Sequence, residues 1–273
     1  MLQQADDFRE ESQALFDLLA DLDSDSFARA TQFKDWTVND VIRHLHVWNV
    51  AADLSLTDES EFARFLEQVS VADGLREFEP SWMGGIAGVE LLETWRIFFI
   101  EMSERFVSAD PKRRLKWAGP DMSVRSSITA RLMETWAHGQ EVYDALGVVR
   151  TNTDRIKNIA VLGINTYGWT YQCRGLTPPE NPPFVRLTAP SGEIWTWNEE
   201  DDSNYIAGSA EGFCQTVTQV RNVADTDLLA VGDVATQWMS MAQCFAGPPE
   251  TPPPPGSRII TKPRSDSPLP ARP

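Results

Sequence analysis

The stretch that decides the fold runs from residue 35 to residue 45 and reads Asp35-Trp36-Thr37-Val38-Asn39-Asp40-Val41-Ile42-Arg43-His44-Leu45. The Thr37 hydroxyl can accept a hydrogen bond from a free backbone N–H at a helix start, and Asp40 follows three positions later, as in a capping box. Apolar residues then recur at helical spacing. The stretch therefore predicts a helix that begins after Thr37 and carries both His44 and His46.

The rest of the first half has the same helical periodicity. Apolar spacing predicts four further helices, and Gly147 stands where a left-handed C-terminal cap is usual. Residues 73–87, with Pro80 and three glycines, are predicted to form an irregular loop. Four long helices with short to medium connections indicate an antiparallel four-helix bundle in residues 1–150. The four further helices are predicted at residues 3–22, 57–72, 88–107 and about 124–146.

The pattern changes after residue 150, and residues 151–246 are predicted to form a small α+β domain. Alternating runs at 184–188 and 193–197 flank a turn at 189–192 and predict a hairpin. Residues 247–273 hold 10 of the 18 prolines and are predicted to be a disordered Pro-rich tail. The predicted fold class is thus α+β. Helices are predicted around the hairpin at residues 153–172, 209–221 and 226–245.

Composition narrows the classes of function. The chain of 273 residues has 24 Lys+Arg against 40 Asp+Glu, a net charge of −16, which argues against nucleic acid and anionic membrane as partners. The absence of a long apolar run and the acidic start favour a soluble, cytoplasmic protein. Three widely spaced cysteines predict no disulfide framework. Helical bundles often pair through exposed apolar faces, so a homodimer is a further expectation.

One constellation of residues suggests metal chemistry. Glu134 and His138 are four apart on the predicted helix 124–146, so both can reach one ion from a single face. That face otherwise carries small residues and Glu141, and it is expected either to border a cavity or to be a plain exposed polar surface. His44 and His46 point to opposite sides of their helix, so only one of them can join the pair. Periodicity alone does not choose between them.

Two segments resemble the motifs of a known family. Residues 35–45 and Glu134-Thr135-Trp136-Ala137-His138-Gly139-Gln140 resemble the two motifs of the mycothiol-dependent maleylpyruvate isomerase family, within the wider DinB-like metal-dependent bundles. The resemblance implies that His44, Glu134 and His138 are metal ligands. Residues 187–192, the turn expected at residues 206–208 and residues 238–247 resemble the accessory C-terminal domain of a two-domain actinobacterial-type branch.

The resemblance also implies a type of chemistry. Two imidazoles and one carboxylate leave a coordination position open, which suits catalytic zinc, with nickel(II) or iron(II) as alternatives. The ion would activate a low-molecular-weight thiol of the mycothiol type, which attacks a small electrophilic substrate in S-transfer or isomerisation. Glu141 is a candidate general base or a second-shell partner of His44, and Arg186 and Arg221 are candidate anion contacts. The alternatives are a non-catalytic metal-binding module whose C-terminal domain binds an apolar or acyl ligand, and a structural domain without metal.

Overall fold

The computed structural model describes residues 1–260 and has the predicted α+β class. The first half of the chain contains six helices and one short strand pair; the second half contains four shorter helices around a mixed sheet. The first half comprises α1 (Gln3–Leu19), α2 (Val38–Thr57), α3 (Glu59–Val71), α4 (Leu75–Trp82), α5 (Gly88–Ser108), β1 (Arg114–Leu115), β2 (Met122–Ser123) and α6 (Val124–Leu146). The second half comprises α7 (Lys157–Asn165), α8 (Tyr167–Gln172), β3 (Phe184–Thr188), β4 (Ile194–Trp197), β5 (Tyr205–Ser209), α9 (Ala210–Val217), β6 (Leu229–Val231) and α10 (Asp233–Met241).

The four long helices pack around one apolar core. Both α1 and α2 lie against α5 and α6. Fully burying a large apolar side chain stabilises a fold by about 1.5–3 kcal/mol, so this core fixes the position of α2 relative to α6. The buried side chains at its centre include Phe8, Leu15, Leu45, Trp95, Phe99 and Leu132.

Local signals set the bounds of the two helices that matter for function. The Asp40 backbone N–H donates to the Thr37 hydroxyl at 3.1 Å, and the Thr37 N–H donates to the Asp40 carboxylate at 2.9 Å, so the predicted capping box of α2 is confirmed. Helix α6 begins after the Ser123 cap and ends at Gly147, whose φ of 72° is the left-handed conformation expected of a C-terminal glycine.

The predicted irregular loop at residues 73–87 is partly wrong, because residues 75–82 form α4. Pro80 suggested a break, since it lacks the N–H that would pair with the carbonyl of Arg76. The helix nevertheless forms, because it buries Phe78 edge-on against Phe65 of α3, with ring centroids 5.7 Å apart. Tertiary packing here outweighs local propensity, and it brings Glu79 towards α2.

The second half combines the predicted hairpin with two unpredicted strands, β5 and β6. Residues 206–208, which were expected to form a turn, lie in β5 because this strand pairs with β3. Strands β3 and β4 pair antiparallel, as expected, and the sheet has the order β4-β3-β5-β6, with β3 and β5 parallel. The predicted helix 226–245 is wrong at its start, because Leu229–Val231 pairs with β5 as an edge strand and α10 begins only at Asp233. The predicted helix 153–172 is a short 3₁₀ turn followed by α7 and α8, separated at Thr166.

Helix α6 belongs to two cores at once. Its Met133 and Trp136 are buried among the side chains of α7, the sheet, α9 and α10, while Leu132 and Val142 face the long helices. The Trp136 indole N–H donates to the Asn152 side chain at 2.8 Å, just beyond the end of α6. The helix that carries Glu134 and His138 is therefore held from both sides.

The proline-rich segment also departs from prediction, because residues 247–260 occupy defined positions against both halves of the chain. Glu250 pairs with Lys34 at 3.0 Å, and Arg258 donates to the Glu141 carboxylate at 2.9 Å and to the Gln219 carbonyl at 2.8 Å. These partners are distant in sequence, so composition alone could not reveal them. The rest of the predicted tail, residues 261–273, lies outside the described residues. Within residues 1–260, no helix has the length and apolar character needed to cross a membrane.

Candidate metal centre

Helices α2 and α6 bring the three predicted ligands together. One possible ligand atom from each of His44, Glu134 and His138 can be chosen so that all three lie within 4.8 Å of one another. The Glu134 Oε2 atom is 3.3 Å from the His138 Nε2 atom and 3.9 Å from the His44 Nε2 atom. This separation is suited to side chains that surround a common cation.

The three groups influence one another's protonation. Burial favours neutral His44, but hydrogen bonds with Glu134 and Glu79 outweigh it and raise the pKa of this imidazole to about 9. Burial would also raise the pKa of Glu134, yet hydrogen bonds with His138 and His44 hold it well below its usual value. Burial lowers the pKa of His138. The pKa values of His44 and Glu134 thus move in opposite directions because the two side chains interact with each other.

A fourth residue, which the sequence did not reveal, orients His44. Glu79 of α4 is 4% exposed, and its Oε1 atom lies 2.8 Å from the His44 Nδ1 atom and 3.1 Å from the Trp48 indole nitrogen. A carboxylate only accepts hydrogen bonds, so Nδ1 carries a proton and Nε2 faces Glu134. A carboxylate that accepts from the second nitrogen of a histidine is a common partner of metal-ligating histidines.

Aromatic rings cover the ligands from the loop before α2. Trp36 stacks on the His138 ring with centroids 5.4 Å apart and an interplanar angle of 11°, and it meets the His44 ring edge-on at 4.9 Å. Phe33 also lies edge-on to His138, at 5.1 Å. These rings limit the rotation of both imidazoles and shield them from water on this side.

The second histidine of α2 has a structural role. His46 packs edge-on against Phe98 of α5, with ring centroids 5.2 Å apart, and burial lowers its pKa to about 4. It therefore belongs to the interface between α2 and α5 as a neutral side chain. The choice between His44 and His46, which periodicity left open, follows from the packing of the two faces of α2.

Two other predicted residues have different surroundings from those expected. The suggested second-shell role of Glu141 towards His44 is wrong, because Glu79 occupies that position and Glu141 pairs with Arg258. Burial raises the pKa of Glu141 to about 7, although the Arg258 charge lowers it. Arg221 forms a buried ion pair with Asp144 at 2.6 Å, so its charge is already balanced.

A cavity of about 160 Å³ borders Glu134 and His138 on the α6 side, which matches the alternative of a cavity-lining face rather than a plain exposed one. It lies between α6, the loop before α2, the end of α9 and the proline-rich segment. The lining includes Phe33, Glu134, Ala137, His138, Glu141, Gln219 and Arg258.

Comparison with known proteins identifies the family. A family model described as the mycothiol maleylpyruvate isomerase N-terminal domain matches residues 8–143, which include all three candidate ligands. The chain belongs to the mycothiol-dependent maleylpyruvate isomerase family. Two relatives, both described as uncharacterised proteins of Mycobacterium tuberculosis, are 40% identical to this family member over 244 residues, or 89% of this chain and 95% of each relative.

Solved structures agree with this family assignment at the level of the fold. The crystal structure of a mycothiol-dependent maleylpyruvate isomerase has a TM-score of 0.55 and 14% identity, and the alignment covers 84% of this chain and 91% of that one. A mutant of that enzyme with a histidine changed to alanine gives the same TM-score at 13% identity. The similarity therefore extends beyond the helical half into the α+β half.

The chemistry of the donor set fits a divalent cation in this family member. Two imidazoles and one carboxylate are ligands that zinc, iron(II) and nickel(II) accept, and three protein ligands leave at least one position open. Glu79 supplies the outer hydrogen bond that fixes the His44 tautomer, and the aromatic rings supply a dry wall. The cavity lies on the remaining side and offers access for a small ligand.

Proposed function

We propose that the chain is a metal-dependent thiol S-transferase or isomerase that acts on a small electrophile. The observation that carries the proposal is the convergence of His44, Glu134 and His138 from two helices within 4.8 Å. We further propose that the four long helices act as a DinB-like bundle, which supplies the rigid scaffold. Zinc is the preferred ion because the ligand set is typical of catalytic zinc, and nickel(II) or iron(II) is the alternative.

The residues of the chain have separable roles in this proposal. A bound ion would supply Lewis acidity, which keeps a thiol in its nucleophilic thiolate form near neutral pH. Glu79 keeps the proton on the His44 Nδ1 atom and so leaves Nε2 as a ligand. Trp36 and Phe33 exclude water from the imidazoles. The cavity beside His138 receives the thiol and the electrophile.

The co-substrate in this proposal is a low-molecular-weight thiol of the mycothiol type. Membership of the family supports this class of thiol, since the similar solved enzyme is described as mycothiol-dependent. The substrate class in this proposal is a small electrophile, which a thiolate at the open metal position would attack.

Elemental analysis of the purified protein tests the metal site. We expect about one equivalent of a divalent metal per chain, and its loss in His44→Ala and in His138→Ala without loss of helix content, because each change removes one of three ligands. His46→Ala is the matched control, since it removes a histidine of α2 that packs against Phe98. Full metal retention in both ligand variants would overturn the site.

Turnover distinguishes an enzyme from a binding module. The metal-loaded protein is incubated with thiols of several classes and with small electrophilic substrates, and product is followed with and without a chelator. Metal-dependent product formation supports the proposal. Stoichiometric metal without turnover across the thiol classes would favour the non-catalytic module whose C-terminal domain binds an apolar or acyl ligand.

A further inference from the structure

The cavity beside the candidate metal centre contains a second buried carboxylate, Glu141. It lies three residues after His138 on α6, on the same side of the helix, and the side chains of such neighbours are separated by about 5–6 Å at their Cβ atoms. Glu141 is 2% exposed. It is therefore a cavity-lining group within reach of a small molecule that also reaches the metal position.

Only one oxygen of this carboxylate has a partner among the described residues. The Oε1 atom accepts a hydrogen bond from Arg258 at 2.9 Å, whereas the Oε2 atom is buried and has no donor within residues 1–260. A buried acceptor without a donor costs free energy, so such atoms are usually paired with protein, water or ligand. The unpaired Oε2 atom is thus a binding position for a hydrogen-bond donor.

The neighbouring residues explain why Glu141 rather than Glu134 has this role. Glu134 is engaged by His44, His138 and, at 3.9 Å, by the Arg131 guanidinium. Arg258 holds Glu141 in place and is itself tied to the Gln219 carbonyl at 2.8 Å. The Glu141 side chain is fixed by Arg258, and no donor among residues 1–260 competes for its second oxygen.

We propose that Glu141 is a specificity-determining residue that accepts a hydrogen bond from the thiol co-substrate, and that the preferred thiol carries a hydroxyl or ammonium donor a few bonds from its sulfur. This inference rests on the proposed function, because the sulfur is taken to lie at the open position beside His138. The short distance between His138 and Glu141 on α6 sets the spacing between the thiol sulfur and the hydrogen-bond donor of the co-substrate. Thiols without a donor leave the Oε2 atom unpaired and bind more weakly.

The test compares three small thiols that differ in the donor. The cobalt(II)-substituted protein is titrated with 1-thioglycerol, cysteamine and 1-propanethiol, and the dissociation constants are read from the cobalt absorption bands. The titrations are made at pH 8.5, where Glu141, with a pKa of about 7, is ionised. A hydrogen bond to this charged acceptor predicts that wild-type protein binds at least one donor-bearing thiol about tenfold more tightly than 1-propanethiol. Comparison of 1-thioglycerol with cysteamine distinguishes a hydroxyl from an ammonium donor.

A variant assigns the preference to this side chain. Charge-assisted hydrogen bonds are about twice as strong as neutral ones, so in Glu141→Gln the tenfold preference should fall to about threefold. Glu93→Gln, which neutralises a half-exposed carboxylate of α5 outside the cavity lining, is the matched control and should keep the full preference. Metal stoichiometry and circular dichroism confirm that each variant is folded.

The outcomes separate this inference from the proposed function. Equal binding of all three thiols by wild-type protein overturns the role of Glu141 and leaves thiol binding at the metal intact. A full preference retained in Glu141→Gln places the determinant elsewhere and also overturns it. No thiol binding by cobalt-loaded protein overturns both the inference and the proposed function.

Discussion

Replacement of Glu79 is expected to weaken metal binding although this residue is not a ligand. Its Oε1 atom lies 2.8 Å from the His44 Nδ1 atom and 3.1 Å from the Trp48 indole nitrogen, inside a site where Glu79 is 4% exposed. In Glu79→Gln the amide oxygen still accepts, but without charge. Hydrogen bonds to charged groups exceed neutral ones by about 1 kcal/mol, so the metal affinity should fall about fivefold.

Glu79→Ala should have a larger effect. It leaves the His44 Nδ1–H and Trp48 indole N–H groups without their acceptor. The His44 imidazole can then also adopt the tautomer with the proton on Nε2, which cannot bind a metal ion through that atom. Loss of such an outer partner typically reduces metal affinity by about 10- to 100-fold, and the upper part of that range is expected here because two donors lose one acceptor.

Competition between the protein and a chromophoric chelator measures this affinity. Glu77→Gln is the matched control, because Glu77 is on the same helix but exposed. Stoichiometry at saturating metal should stay at one ion in all variants, since the three ligands are intact. The reasoning would be refuted if Glu79→Ala bound metal within about twofold of wild type, because an orienting partner cannot be removed at so small a cost.

Two further predictions concern stability. Glu11→Gln should destabilise the protein by about 3 kcal/mol in chemical denaturation, because it leaves Arg150 and Arg155 without their buried partner. Burial opposes ionisation of Glu11, but the charges of these two arginines outweigh burial and lower the pKa of Glu11. The Glu11 carboxylate therefore stabilises the folded state fully at pH values above its ordinary pKa of 4.5. This contribution to stability is lost as the pH falls through the lowered pKa of the folded state. An unchanged acid-unfolding profile in the variant would contradict this assignment. Thr37→Ala should lower the free energy of unfolding by about 1 kcal/mol, and with it the melting temperature, because α2 loses its cap. An unchanged melting temperature would show that Asp40 alone is sufficient to cap α2.

The parts of the site that could be predicted from sequence are those set by local rules. The Thr37 cap and the helical period fix the bounds of α2, and the four-residue spacing of Glu134 and His138 fixes their common face on α6. The family motif then singles out His44. Each of these signals lies within about one or two turns of one helix, a range that the sequence pattern covers well.

The parts that could not be predicted depend on contacts between distant segments. Glu79 reaches His44 only because Phe78 anchors α4 against α3 despite Pro80, and no local signal announces that packing. The proline-rich segment was expected to lack structure, yet Arg258 reaches across 117 positions to Glu141. The composition of a segment indicates how much apolar surface the segment can bury by itself. It does not indicate which residues elsewhere in the chain can contact the segment.

The double burial of α6 makes the two halves of the protein inseparable. A chain cut after residue 150 would expose Met133 and Trp136 to water and remove the Asn152 acceptor of the indole, so the helical half on its own should aggregate. The same dependence constrains substitutions in α6: changes on the face that carries Glu134 and His138 must preserve the packing of Met133 and Trp136 against the sheet-bearing half. If the sheet-bearing half were lost or exchanged, another apolar surface of matching shape would have to cover Met133 and Trp136 of α6.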